Sequence, residues 1–213
     1  MLTTVDAKNE RLLELAATVL LAPATVATAW SAYQARESTG EQAQGTSHAT
    51  AARIGVNRAA ALANRQVQID VATFIEWIDA RAQGRSALAS FYRARFRKEF
   101  EPAFAAWLAT KPLTNRAAPK TPFEPNRYRL AADRQAQRLE LKAAADSAHA
   151  KDANERADNY MLAVVLFASS LFFAGISTKL HTSTAKLALL AVGTVLFLGT
   201  AIWLATLPTQ LTV

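Results

Sequence analysis

LALLAVGTVLFLGTAIWLATL, residues 187–207, is the stretch that decides the fold class. Its 21 residues carry no charge and lie between Lys186 and Pro208. A helix of that length crosses the roughly 30 Å of hydrocarbon in a bilayer. Just upstream, YMLAVVLFASSLFFAGI covers residues 160–176 and is again uncharged, opening on an interfacial tyrosine and ending near Lys179. The link Ser177–Ala185 is short enough only for a tight helical hairpin. A buried hairpin in a water-soluble protein is the competing reading, and two adjacent full-length apolar runs argue against it.

A third apolar run lies near the start. Leu12–Trp30 contains Glu14 and Pro23, and Ala27-Thr-Ala29 resembles the small-residue cleavage site of a secretory signal. A signal peptide needs a purely basic leader, whereas Asp6 and Glu10 accompany Lys8 and Arg11 here. The expectation is a retained span, kinked at Pro23 where a carbonyl loses its N–H partner.

Three spans divide the chain into a flank over 1–11, transmembrane helices over 12–34, 160–178 and 186–207, and a domain over 35–159. The fold class expected is all-α: an integral membrane protein with a helical-bundle domain inserted between its first and second spans. Abundant Ala with only 7 Gly and 7 Pro favours helix throughout. Cysteine is absent, which excludes disulfides and thiolate metal sites. Lys8 and Arg11 before the first span and Lys179 and Lys186 in the hairpin lie on one side of a three-span topology. By the positive-inside rule that side is cytoplasmic, which leaves the domain extracytoplasmic.

Within the domain, helices are expected over about 47–83, 86–101, 102–109 and 127–159. Val56, Ala60, Ala63, Val67, Val71, Phe74, Ile75 and Ile78 form one face of the first, set off from the span by Gly40 and Gly45 as a hinge or turn. Ser86 is an N-cap candidate and Pro102 suits the first turn of a new helix. Lys111–Pro125 holds four prolines and no periodicity, so it reads as extended chain. From Asn126 no breaker occurs before Gly175, so the last helix should continue into the second span, about 75 Å for 50 residues. The Ala-rich segments 47–83 and 127–159 suit a close antiparallel pair, with Ala144 and Ala148 on the packed face and Gln137 on a wetter one. Phe91, Phe96, Phe104 and Trp107 should be buried against Phe74, Ile75 and Ile78.

Charge is uneven. Residues 53–138 hold 16 basic and 7 acidic side chains. Arg81, Arg85, Arg93, Arg95, Arg97 and Lys98 make the one cluster that stands out, a candidate patch for anionic lipid, an acidic protein or an anionic polymer. The bland alternative is the solvated side of an amphipathic helix, with Glu99 and Glu101 compensating. An extracytoplasmic location disfavours nucleic acid. Asp146, His149 and Asp152 share a helical face, yet no second motif completes a metal sphere. Glycine-rich phosphate loops and nucleophile motifs are absent, so neither a cofactor nor an enzymatic role is expected.

Phe100-Glu-Pro-Ala-Phe-Ala-Ala-Trp-Leu-Ala-Thr-Lys-Pro-Leu113, continued at Thr121-Pro-Phe123, resembles an uncharacterised bacterial family of three-span membrane proteins. Trp30-Ser-Ala-Tyr-Gln-Ala35, Asp158-Asn-Tyr160 and Phe172-Phe-Ala-Gly-Ile-Ser177 are similar as well. The resemblance covers most of the chain and implies the topology and a bacterial inner membrane. It brings no site residues.

Two functions follow as expectations. Small residues four apart, at Ala24 and Thr28, Ser170 and Ala174, and Ala201 and Ala205, favour a homo-oligomeric assembly or scaffold. An accessory or sensor subunit binding an envelope partner through the basic domain is the alternative. A channel has weak support, since the second and third spans carry neither charge nor filter motif. The orientation is tested by a reporter active only in the cytoplasm. It should work when inserted at Thr182 and fail at Pro119, and the opposite pattern reverses the topology.

Overall fold

The computed structural model describes residues 3–124, 126–180 and 182–207, with side chains from Arg11 onward. Of the markers used above, the side chain of Lys8 and the whole of Pro208 lie outside the described residues. Five helices follow one another: α1 Thr3–Ala82, α2 Ser86–Arg93, α3 Glu101–Ala109, α4 Ala131–Ser177 and α5 Ser183–Ala205. No strand occurs among the described residues. Three of the helices, α1, α4 and α5, contain stretches long and apolar enough to cross a membrane.

The helix expected over 47–83 is not a separate element. It belongs to α1, which runs 80 residues with Pro23 inside it and no break at Gly40 or Gly45. Glycine in a helix interior costs only about 1 kcal/mol, and side-chain packing outweighs it. The chain does turn at Gly84, whose φ of 73° is the left-handed conformation that glycine adopts without strain. There Arg85 N–H donates to the carbonyl of Ala80 and Gly84 N–H to that of Arg81, which satisfies two carbonyls at the helix end.

By contacts the chain forms two compact units, one of Met1–Thr46 with Ser147–Val213 and the other of Ser47–Asp146. The division therefore falls inside the 35–159 boundaries read from hydropathy. The reason is that residues 35–46 pair with the start of the second α4 segment: Arg156 bonds Glu41 at 2.7 Å, and a Cβ on Gly45 would sit 3.0 Å from that of Ala150.

In the first unit α1 and α4 run antiparallel and α5 packs beside them. Ala17, Leu20, Ala174 and Leu190 form a shared cluster, with Leu13, Leu21 and Phe197 against it. Ser170, fully buried, donates to the Gly193 carbonyl at 2.8 Å, and a Cβ at Gly193 would lie 3.2 Å from the Ser170 carbonyl oxygen. Ser170 and Ala174 are thus used inside the chain, against α5, where the sequence pattern offered them to another copy. Lys186 of α5 reaches Glu14 of α1 at 3.8 Å. Thr18, Thr25 and Thr28 each donate to the carbonyl four residues back, which hides their hydroxyls along an otherwise apolar helix.

Buried positions on α1 in this unit recur at Ala17, Ala24, Ser31, Ala35 and Ser38, and on α4 at Ala150, Ala153, Ala157, Tyr160, Ala163, Phe167, Ser170, Ala174 and Ser177. Spacings of three, four and seven dominate, close to the 3.5-residue repeat of helices that wind around one another. Ala144 and Ala148, expected on the packed face, are exposed, and Ala143 and Ala150 take that role. The expectation rested on alanine content, which does not by itself say which alanines face the partner helix.

The second unit has an aromatic centre. Phe74, Trp77, Phe96, Phe100, Phe104 and Trp107 are buried together, with Phe123 and Tyr128 packed on them. Phe74 meets Trp107 edge-on at 5.2 Å, Trp77 meets Phe104 likewise at 4.8 Å, and Phe100 stacks on Phe123 at 5.1 Å. Trp107 Nε1–H donates to the Pro119 carbonyl at 2.8 Å, which fastens the proline-rich segment to the core. Two expected core residues point outward: Ile75 is 55% exposed and Phe91 48%. The 3.5 repeat carries the seam from Ala63 through Asp70 and Phe74 to Trp77, leaving Ile75 on the flank. The helix expected over 86–101 ends at Arg93, because tight turns from Ala94 to Phe100 let both Phe96 and Phe100 enter the core. The helix expected from 127 begins at Ala131. Before it, Arg127 and Tyr128 both donate to the Glu124 carbonyl in a turn.

Two glycines of α1 separate packing from propensity. Gly45→Leu should cost about 1–3 kcal/mol by overpacking against Ala150. A Cβ at Gly40 meets nothing within 4 Å, so Gly40→Ala should stabilise by about 0.5–1 kcal/mol. Thermal unfolding of both variants in detergent checks this, and equal shifts would rule out a close seam at residue 45.

Candidate functional site

Of the six basic residues singled out by the sequence, five are exposed and Arg97 is partly buried. Arg81 ends α1, and Arg85 precedes α2, both exposed. Arg93 closes α2 with its guanidinium 5.5 Å from the centre of the Phe104 ring. Arg95 lies 3.3 Å from the Phe91 ring centre and donates to the Phe91 carbonyl at 3.1 Å. The ring faces attract these cations, so both are held against the protein. Lys98 is exposed, while Arg97 turns inward toward Asp70 and is partly buried.

Arg97 belongs to a buried network that no motif announced. One of its amino groups meets Asp70 Oδ2 at 2.8 Å, and the other bonds Glu99. Tyr128 donates to the same Asp70 oxygen at 2.6 Å. The second carboxylate oxygen of Glu99 accepts Ala131 N–H at 3.0 Å, at the first residue of α4, where helix N–H groups lack internal partners. Asp70 of α1 thus joins the turn that carries Arg97 to Tyr128, and Glu99 extends the network to the first residue of α4. Asp70 is fully buried, and its other oxygen, Oδ1, has no partner among the described residues.

Burial raises the Asp70 carboxyl above its ordinary range, opposed by the bond from Tyr128 and the charge of Arg97. The Tyr128 phenol is pushed well up, by burial first and by the carboxylate beside it, and so stays a donor at neutral pH. The available signal in the sequence was position: Asp70 is an acid at 3.5-residue spacing between Ala63 and Trp77, where its neighbours on the seam are apolar. Glu99, read as compensating charge on a helix face, instead caps α4.

Beside Tyr128 lies a cavity of about 880 Å³ with a floor of Val56, Val67, Phe123 and Leu130 and a rim that mixes Arg129 and Arg134 with Asp133 and Glu140. Its mixed charge recommends no single ligand. His149 and Asp152 are exposed, and among the described residues no group of three or more possible metal ligands gathers. The uncompensated feature of this unit is its charge, with 17 basic residues against 9 acidic over 47–146. The remainder of the chain has 7 against 8. No family model, curated protein or solved structure matches the chain.

Because the folded state holds the Asp70 proton more tightly than the unfolded chain does, wild-type stability relative to Asp70→Asn should be greatest at acid pH. The difference should fall as pH rises through the elevated Asp70 value and then level off. Melting temperatures of the two proteins across that range check the sign, and a difference that grows with pH would show a carboxylate stabilised in its charged form. Tyr128→Phe should cost about 1–3 kcal/mol by removing a partner from a buried carboxylate.

Proposed function

We propose that this chain is a non-enzymatic membrane protein whose first unit is embedded in a bilayer and whose second unit is a basic docking surface for an acidic partner. The observation that carries the reading is the segregation of apolar surface from charge. Leu15, Val19 and Val26 on α1, Val165 and Phe172 on α4, and Val195 and Ile202 on α5 are each more than half exposed. Such a continuous apolar exterior belongs in hydrocarbon, since each exposed Å² costs about 25 cal/mol in water. The positive excess, meanwhile, is confined to the unit over 47–146. The bacterial inner membrane, with a cytoplasmic N-terminus, is the location that agrees with the basic flanks and with the family resemblance.

Self-association through the spans is a second reading. It draws on Gly199, beside which nothing lies within 4 Å and which lines a groove with Val195, Leu196 and Trp203. A bulky side chain of another copy fits such a groove, and small residues let helices approach.

Membrane integration is tested by alkaline carbonate extraction, in which the protein should stay with the membrane pellet. The docking role is tested with full-length protein in phosphatidylcholine nanodiscs on a polyglutamate matrix. Retention at low salt and release as salt rises is the expected result. Extraction by carbonate overturns the embedding, and absence of retention overturns the docking role.

A further inference from the structure

The α1–α4 pair of the second unit has an exposed edge built like a seat for another helix. With Ala63 and Asp70 as position a of successive heptads, Leu62 and Ile69 fall at g and Arg58 and Arg65 at c. Leu62 is 43% exposed and Ile69 51%, so neither belongs to the core of its own unit. In the first unit the g positions are Leu13 and Leu20, which pack in one cluster with Leu190 of α5. There a third helix covers the edge, whereas among the described residues no helix covers the edge at Leu62 and Ile69.

On α4, counted from Ala136 and Ala143 at a, Arg138 falls at c and Lys142 at g. In an antiparallel pair the g positions of both helices border the same edge of the seam. That edge therefore carries Arg58, Arg65, Arg138 and Lys142. All four are exposed, none is in an ion pair among the described residues, and no acidic residue stands at g or c between 54 and 69 or between 135 and 142.

We infer that this edge binds an acidic amphipathic helix of a partner protein, seated on Leu62 and Ile69 and flanked by the four cations. The inference rests on the docking role proposed above and specifies its partner. Charge decides against a second copy of the chain. A parallel copy would set Arg58 against Arg58, and an antiparallel one centred on Leu62 would set Arg58 near Arg65, like charges in either case. Apolar residues two turns apart match the knobs of a helix, while a flexible polyanion needs no such spacing.

The probe is a fluorescein-labelled 21-residue synthetic peptide with Leu at a and d and Glu at e and g. The control has the same composition in an order that breaks the heptads. Both are titrated by anisotropy into full-length protein in phosphatidylcholine nanodiscs. The patterned peptide should bind about tenfold tighter than the control. Leu62→Gln with Ile69→Gln should weaken it by about tenfold, and Arg58→Glu with Arg65→Glu by more. Arg116→Glu with Lys120→Glu makes the same change in net charge on the exposed proline-rich segment and should leave affinity within about twofold. All six positions are exposed, and an unchanged melting temperature verifies folding. Equal binding of the two peptides, or equal weakening by the Arg116 and Lys120 changes, overturns the helix seat in favour of general polyanion binding. The docking role would then stand on its polyglutamate retention. Since the chain has no cysteine, Leu62→Cys supplies a unique thiol. A homodimeric disulfide in good yield there would assign the edge to a second copy and overturn the inference.

Discussion

Two long helices can lie side by side at short range only where the residues between them are small. In the first unit the seam is built from Ala17, Ala24, Ser31 and Ser38 on α1 against Ala150, Ala153, Ala157, Ala163 and Ala174 on α4. Gly45 leaves room for Ala150 and nothing larger. Alanine contributes little buried area, so each contact is weak, and the seam depends on regular repetition at 3.5 residues. Polar residues enter this seam only when small or bonded to their own backbone, as Ser31 is to the Ala27 carbonyl. Gln34 is the exception, fully buried with neither end of its amide hydrogen-bonded among the described residues.

The second unit solves a different problem. Ala63, Leu130 and Ala132 continue the small-residue style, but the chain must also reverse and return. Aromatic side chains supply the area that alanine lacks, each burying about 150–250 Å². Asp70 then ties the returning strand of chain to α1 through Arg97 and Tyr128. A buried ion pair adds little net stability compared with an apolar core, but it tolerates few alternative arrangements. Its value here is positional: α4 can start only where Glu99 meets Ala131 N–H.

These arrangements bear on function through what they leave outside. Arg97 is used inward, and Arg93 and Arg95, though exposed, lie over the Phe104 and Phe91 rings. Arg58 and Arg65 stand exposed on the same helix as Leu62 and Ile69, in no ion pair among the described residues.

Helical class, the three apolar stretches and the uneven charge are legible in the sequence, because each depends on local composition: uncharged length, alanine content and counts of Lys and Arg. The aromatic centre was legible in outline from Phe74, Phe96, Phe104 and Trp107. Its rim was not, because Ile75 and Trp77 are both apolar and stand two residues apart, and which of them faces inward is set by the elements packed against α1. Gly45 likewise reads as a break until the opposite helix brings Ala150 against it, whereas Gly40 stands in open space within the same helix. Asp70, Arg97, Glu99 and Tyr128 lie up to 58 residues apart in sequence. No local pattern connects them, and tertiary structure alone decided that one of six arginines and lysines in a basic run would turn inward to meet a buried carboxylate.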